Sequence, residues 1–295
     1  MKALLQFSET LGETLRNTFI GQPQLQIINV CHINAQSVPS HYSDLVDTFS
    51  NSGVHAVLIS ETWLKPHLLS TTYPLPGFVL IRNDRVEKRG GGVAIYLRSE
   101  FPFKILATSP GSSASSEFLF LEVFVKGAKL ILGVVYCPPT VDYFSSIEPV
   151  LESIGSEYSH VIVMGDFNTD LLSENSLRSR KLLEIIRSSS LHVLPLQATH
   201  HIIDGHDTWL DLILSSSPSL VSASGQLPAP GFSHHDLIFL SYSLKPPKPR
   251  PRVLHLRSFG RMDVEKLHRD GFSSKNGTTC IVHLTSDTKV NIFAG

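Results

Sequence analysis

Val161-Ile162-Val163-Met164-Gly165-Asp166-Phe167-Asn168 joins an apolar run to a carboxylate and a carboxamide two residues apart. The run predicts a buried strand. Side chains two apart on an extended chain point the same way. Asp166 and Asn168 would then face one pocket from the end of a rigid strand. A plain strand-to-turn junction is the alternative, because Gly, Asp and Asn are also turn residues. What separates the two readings is whether other strands end in the same kind of residue.

They do. Leu25 to Cys31 reads as a strand and runs into His32-Ile33-Asn34. Val54 to Ser60 is apolar and ends at Glu61-Thr62-Trp63-Leu64. Glu117 to Val125 and Leu130 to Tyr136 read as a hairpin closing at Tyr136-Cys137-Pro138-Pro139. Thr208-Trp209-Leu210-Asp211-Leu212-Ile213-Leu214 alternates and reads as another strand, and Asp211 inside it is a buried carboxylate, costly unless paired. Ser233-His234-His235-Asp236 precedes a last strand, Leu237 to Leu244. Short strands are expected at Phe78 to Ile81, Val93 to Leu97 and Leu191 to Leu196. Helices are expected over Tyr42 to Asn51, Phe144 to Ile154 and Ser176 to Ser189. Gly90-Gly91-Gly92 lacks the Gly-Lys-Ser/Thr and following helix of a phosphate loop, and reads as a loop needing unusual backbone angles. Many strands with few helices predict two sheets packed face to face with helices outside.

The chain has 295 residues, 42% of them hydrophobic and 17% charged, enough for a sizeable core. The formal net charge of -1 leaves no global basic signature. A nucleic-acid partner would need a local basic patch or metal ions. Cys31, Cys137 and Cys280 are odd in number and scattered, which argues for a reducing compartment. No apolar run approaches the roughly 18 residues of a membrane span, and no signal peptide is apparent. An intracellular protein, nuclear or cytoplasmic and not secreted, is expected, and Asn276-Gly277-Thr278 is then a coincidental sequon. Phe7, Leu11, Leu15 and Phe19 predict an amphipathic N-terminal helix. The expected division is an extension over 1–23, a catalytic domain over 24–245 and a Pro-rich, basic, unstructured or truncated tail over 246–295.

If the strand ends converge, the pocket holds carboxylates, carboxamides, a phenol and imidazoles. That set suits hydrolysis of a phosphate ester. Oxygen ligands favour Mg²⁺, which neutralises the phosphate and the leaving oxygen. An imidazole held by a buried carboxylate can move a proton or stabilise charge, and Asp211 with His235 could form that pair. A zinc site from His200, His201, His206, His234 and His235 has no paired cysteines and is disfavoured.

In this order, the motifs resemble the endonuclease/exonuclease/phosphatase superfamily, and within it the endonuclease domain of jockey-like non-LTR retrotransposons. The residues that carry the likeness are Ile33-Asn34-Ala35-Gln36-Ser37, Ser60-Glu61-Thr62-Trp63-Leu64, Arg82-Asn83-Asp84-Arg85 with Gly90-Gly91-Gly92, Val135-Tyr136-Cys137-Pro138-Pro139, Gly165-Asp166-Phe167-Asn168, Thr208 to Leu214 and Ser233 to Ile238. The likeness spans about residues 25 to 245. It implies a DNase I-like four-layer α/β sandwich and a monomeric enzyme that nicks double-stranded DNA with Mg²⁺ or Mn²⁺. By the same likeness, Asn34 and Glu61 would hold the metal. Tyr136 would contact the scissile phosphate, Asp166 would activate water with support from Asn168, and Asp211 would pair with His235. Thr199 and Ser233 would contact substrate.

Two departures stand out. The family's Ser-Asp-His reads Ser233-His234-His235 here, with Asp236-Leu237-Ile238 fixing the register. A carboxylate near the metal has become an imidazole, so weakened or absent nuclease activity is expected. After Arg269 the likeness ends, and the reverse transcriptase that normally follows is not found. A relic or frame-shifted fragment is the expectation. A DNA-binding pseudo-nuclease and a phosphatase of the same fold are the alternatives.

Overall fold

The computed structural model describes residues 2–20 and 27–244, apart from 126, 140, 174, 203 and 204, and the short segments 282–283 and 291–292. In the first helix, side chains are described over 8–19. The chain divides into two compact units, Met1–Lys245 and Pro246–Gly295. In the second, Val282–His283 pairs antiparallel with Asn291–Ile292. The sequon and Cys280 lie outside the described residues.

The first unit contains helices α1 (Lys2–Ile20), α2 (Tyr42–Phe49), α3 (Phe144–Glu157) and α4 (Leu177–Ser188). Its first six strands are β1 (Ile27–Asn34), β2 (Ala56–Ser60), β3 (Phe78–Asn83), β4 (Val93–Arg98), β5 (Phe103–Thr108) and β6 (Glu117–Val125). The other six are β7 (Ala128–Tyr136), β8 (Val161–Asp166), β9 (His192–Val193), β10 (Asp211–Ser215), β11 (Val221–Leu227) and β12 (Leu237–Ser243). They form two six-stranded sheets in the orders β11-β12-β1-β2-β4-β3 and β5-β6-β7-β8-β10-β9. The two sheets share a plan. Each is built around one parallel pair, β1 with β2 and β7 with β8. Each pair is joined through a helix, and each is flanked on both sides by antiparallel strands.

Strand alternation sorts the apolar residues into layers. On β8, Ile162 and Met164 enter the core between the sheets, with Val30, Leu58, Leu132 and Ile213. Val161 and Val163 turn outward to Ile147, Leu151, Leu182 and Ile185 of α3 and α4. All four apolar residues of the run are fully buried, each worth roughly 1.5–3 kcal/mol over exposure. On the other sheet, Cys31, Ile33, Val57 and Ile59 pack outward against Leu11, Leu15 and Phe19 of α1 and Leu45 and Phe49 of α2. The result is the expected sandwich of helix, sheet, sheet and helix. At Gly165 a Cβ would collide with the carbonyl of Val135, so glycine lets β8 close against β7 just before Asp166.

Element boundaries differ from expectation in a consistent way. β1 runs to Asn34, so Asn34 is its last residue rather than part of a following loop. The strand expected over Leu191 to Leu196 shrinks to His192–Val193, and that over Thr208 to Leu214 begins only at Asp211. β5 and β11 appear where no strand is expected. Both are edge strands. β5 is largely exposed and β11 is built from small and polar residues, so neither carries a clear apolar alternation.

Candidate active site

The core between the sheets turns polar at one end. Continuing the inward-facing positions of each strand leads from Val30 to His32 and Asn34, from Leu58 to Ser60, from Val134 to Tyr136, from Met164 to Asp166 and from Ile213 back to Asp211. All six polar residues are buried. Registry draws them together: Asn34 lies beside Ser60, and Tyr136 and Asp211 flank Asp166 on either side. These are the carboxyl ends of the parallel strands, the edge where α/β sheets open crevices.

The backbone turns sharply there. Gln36, Ser37, Glu61, Trp63 and Asn168 all adopt positive φ, five of the six non-glycine residues that do so among those described. Each such residue costs on the order of 1 kcal/mol or more and persists where the surroundings hold it in place.

Asn34 is the hub across the sheets. Its Nδ2 donates to Glu61 Oε1 at 3.2 Å and to Asp166 Oδ2 at 3.0 Å. Its Oδ1 accepts from the Gln36 amide. Asn168 holds Asp166 from the other side, its amide on Oδ1 at 2.9 Å and its Nδ2 on Oδ2 at 3.1 Å. Glu61 Oε2 accepts from Trp63 Nε1 at 3.1 Å, and Glu61 hydrogen-bonds Tyr136. Asp211 Oδ2 accepts from His235 Nδ1 and from Thr199 Oγ1, both at 2.8 Å. Ligand atoms of Asp166, Asp211 and His235 lie within 4.8 Å of one another.

Electrostatics follow from this crowding. Burial, then the Asp211 charge, lift the Asp166 carboxyl to about 7, against the pull of His235 and the Asn168 amide. Burial opposes the His235 charge, but the Asp211 carboxylate and its hydrogen bond, with Asp166 and Glu61, raise it to about 9. Burial would likewise raise Asp211, yet the His235 charge and hydrogen bond hold it below the usual carboxylate range. Burial and the Glu61 and Asp166 carboxylates push the Tyr136 phenol up, so it stays neutral.

These carboxylates gathered under so few cations fit a divalent ion. Neighbouring acids raise Asp166, and Glu61 and Asn34 offer only hard oxygen donors, as Mg²⁺ or Mn²⁺ prefers. The histidine set His200, His201, His206, His234 and His235 does not gather as a metal group among the described residues.

Two expected substrate contacts lie in the site but are engaged within the protein. Thr199 is fully buried. Its hydroxyl donates to Asp211 and accepts the Leu210 and Asp211 amides, which leaves no proton for a phosphate. It is a support for Asp211. Ser233 Oγ donates to the Asn34 carbonyl at 2.6 Å and accepts the His235 amide at 3.2 Å, tying two strand ends together. His234 is exposed, with its carbonyl bonded to the His201 amide.

Sequence reasoning missed a platform beneath Tyr136. Glu117 is buried opposite it in the β6–β7 register. Its carboxylate accepts from Arg85 Nε and from the Gly92 amide. The Arg85 guanidinium lies 5.7 Å from the Tyr136 ring centre. A Cβ at Gly91 would strike that guanidinium, and φ there is positive, which explains the glycine run. An acid opening an apolar strand was the only signal for Glu117.

The pair makes stability depend on pH. His235 is held near 9 against 6.5 when unfolded. Its contribution, about 3 kcal/mol, is complete below pH 6.5 and lost as pH rises through about 9. Asp166, protonated up to about 7, acts in the same direction over a lower window. The thermal midpoint of metal-free protein should therefore drop between about pH 6 and pH 10, and less so for His235→Gln. Equal slopes for the two proteins would show that the imidazole is not so held.

Fold and site resemble those of endonuclease/exonuclease/phosphatase proteins. More narrowly, residues 130–239 match a family model described as endonuclease-reverse transcriptase. No curated relative matches the chain. The endonuclease domain of TRAS1, a telomere-specific non-LTR retrotransposon, superposes with a TM-score of 0.57 at 13% identity, covering 74% of this chain and 99% of that one. The AP endonuclease LMAP from Leishmania major gives 0.62 at 13% identity over 77% and 90%. The 3′ phosphatase NExo from Neisseria gives 0.57 at 14% over 73% and 99%. At these identities the likeness speaks for the fold alone.

Proposed function

We propose that residues 24–245 are a metal-dependent DNA endonuclease domain of jockey-like retrotransposon descent, monomeric and intracellular, that nicks one strand of double-stranded DNA for target-primed reverse transcription. The observation that carries the reading is the polar end of the inter-sheet core, where Asn34 bridges Glu61 and Asp166 while Asp211 holds His235. The family match over residues 130–239 supports it.

In this reading Asn34 and Glu61 hold Mg²⁺ or Mn²⁺. When bound, the ion supplies positive charge to the phosphate and the leaving oxygen. Asp166, poised near neutrality, takes a proton from water, and Asn168 keeps both of its oxygens aimed. The water oxygen bonds to phosphorus, the P–O3′ bond breaks, the freed 3′ oxygen takes a proton from solvent water, and Asp166 returns the proton it accepted to solvent, leaving a 3′ hydroxyl beside a 5′ phosphate. His235, cationic and fixed through Nδ1, presents its other N–H to the developing charge. The Tyr136 phenol donates to a phosphate oxygen.

With Mg²⁺, supercoiled plasmid should become nicked circle bearing a 3′ hydroxyl, and Glu61→Ala and Asp166→Ala should each lower the rate about 100-fold or more. Nicking that is indifferent to both substitutions would sink the reading. The exposed imidazole of His234, where the family text has an acid, favours a second reading: a weak or inactive pseudo-nuclease that binds DNA in a salt-sensitive way without turnover. Phosphate release from a small ligand without nicking would instead favour a phosphatase.

A further inference from the structure

His32 sits on the inward face of β1, two residues before Asn34, and is fully buried. Its Nε2 lies 3.1 Å from Ser60 Oγ. Its Nδ1 has no hydrogen-bond partner, and neither has Asp211 Oδ1, although both atoms are buried. The two face each other at 3.7 Å. Unpartnered buried polar atoms cost roughly 1–3 kcal/mol each, so a pair of them in mutual contact calls for a reason.

The tautomer supplies one. A neutral imidazole carries one N–H, on either nitrogen. With the proton on Nε2, the Nδ1 lone pair would confront a carboxylate in a buried site. With the proton on Nδ1, the N–H points at Asp211 Oδ1, and the Ser60 hydroxyl donates to Nε2. A closing of about 0.5 Å completes a normal hydrogen bond.

We propose that His32 is a positioning residue: through Nδ1–H it clamps Oδ1 of Asp211, so that Oδ2 stays committed to His235. The inference rests on the nuclease reading for its catalytic consequence. Asp211 takes Thr199 and His235 on one oxygen. Left otherwise unheld, its carboxylate could rotate and present either oxygen to His235. With His32 on Oδ1 the carboxylate plane is fixed, and with it the direction of the second His235 N–H. Asp211 thus stands between two imidazoles, one cationic and facing the site, the other neutral and facing the core.

The test uses the full chain, as given and with His234→Asp, carrying His32→Leu or His32→Gln. Leucine cannot donate, whereas the glutamine carboxamide can donate to Asp211 and accept from Ser60. Histidine ¹⁵N NMR reads the Nδ1 resonance of His235, assigned with His235→Gln, and plasmid nicking gives kcat and KM. In His32→Leu we expect a displaced His235 resonance and a kcat lowered about 10- to 100-fold at unchanged KM, as for loss of supporting contacts elsewhere. His32→Gln should restore both. A His235 resonance that stays in place in His32→Leu overturns the proposal, whether or not the protein cuts DNA. Equal loss in the leucine and glutamine variants reduces His32 to packing and overturns it too. Absence of nicking in every protein would count against the nuclease reading, while the resonance still decides the clamp.

Discussion

His234→Asp is expected to raise Mg²⁺-dependent nicking by about 10²- to 10⁴-fold. A frame of hydrogen bonds surrounds residue 234. Ser233 Oγ ties the Asn34 carbonyl to the His235 amide, and the His201 amide holds the His234 carbonyl. That frame uses the backbone of residue 234 and the side chain of 233, so it survives the substitution. The imidazole itself is exposed, and exposed changes typically alter stability by less than about 0.5 kcal/mol. The electrostatic change is larger. The His234 charge already bears on His200, which also feels His201 and His235. An acid at this rim would put an anion next to Ser233, whose hydroxyl bonds the Asn34 carbonyl. The gain should therefore be greatest at limiting Mg²⁺ and should lower the Mg²⁺ concentration for half-maximal rate. Equal and robust rates for both proteins over a Mg²⁺ titration would show that the acid is dispensable here.

Much of the fold was legible because the apolar strands are long and their polar ends unusual. The apolar run Val161 to Met164 located β8, which continues to Asp166 and carries it on the same face as Ile162 and Met164. β1 in fact runs through His32 to Asn34, and reading the strand as ending at Cys31 concealed His32 as an inward-facing side chain. β5 and β11 were illegible because edge strands bury little and show no period. The partnership of Asp211 with His235 could be guessed from a carboxylate lodged among leucines. That Thr199 serves Asp211 rather than a phosphate could not, since it depends on a connection folding back to bring an isolated pairing of His200 with both Thr208 and His235. The Arg85–Glu117 platform was hidden for the same reason: its partners are 32 residues apart and meet only when the sheets stack.

Asp211→Asn should lower nicking by about 10³- to 10⁴-fold, the scale on which a mis-set tautomer acts in hydrolytic triads. The geometry explains the severity. Asp211 Oδ2 accepts from His235 Nδ1 and Thr199 Oγ1 together. A carboxamide that turns its oxygen to this position keeps both bonds but loses the charge that raises His235. One that turns its NH₂ there drives His235 to the other tautomer. Either way the imidazole loses its largest raising influence. Burial, which opposes its charge, then dominates, and its pKa should fall from about 9 to below the ordinary imidazole value of 6.5. The pH–rate profile separates this from simple unfolding. With His234→Asp in the background to lift the signal, activity should fall on the alkaline side near pH 9 when Asp211 is present, and near or below neutrality when it is asparagine. Breaking a buried pair also costs about 3–5 kcal/mol, so a thermal midpoint must accompany each rate. Thr199→Val is the control. It removes one hydrogen bond from Oδ2 but leaves the charge, and should lower the rate without moving the alkaline limb. An alkaline limb unmoved in Asp211→Asn would mean that His235 is not the group whose charge the reaction uses.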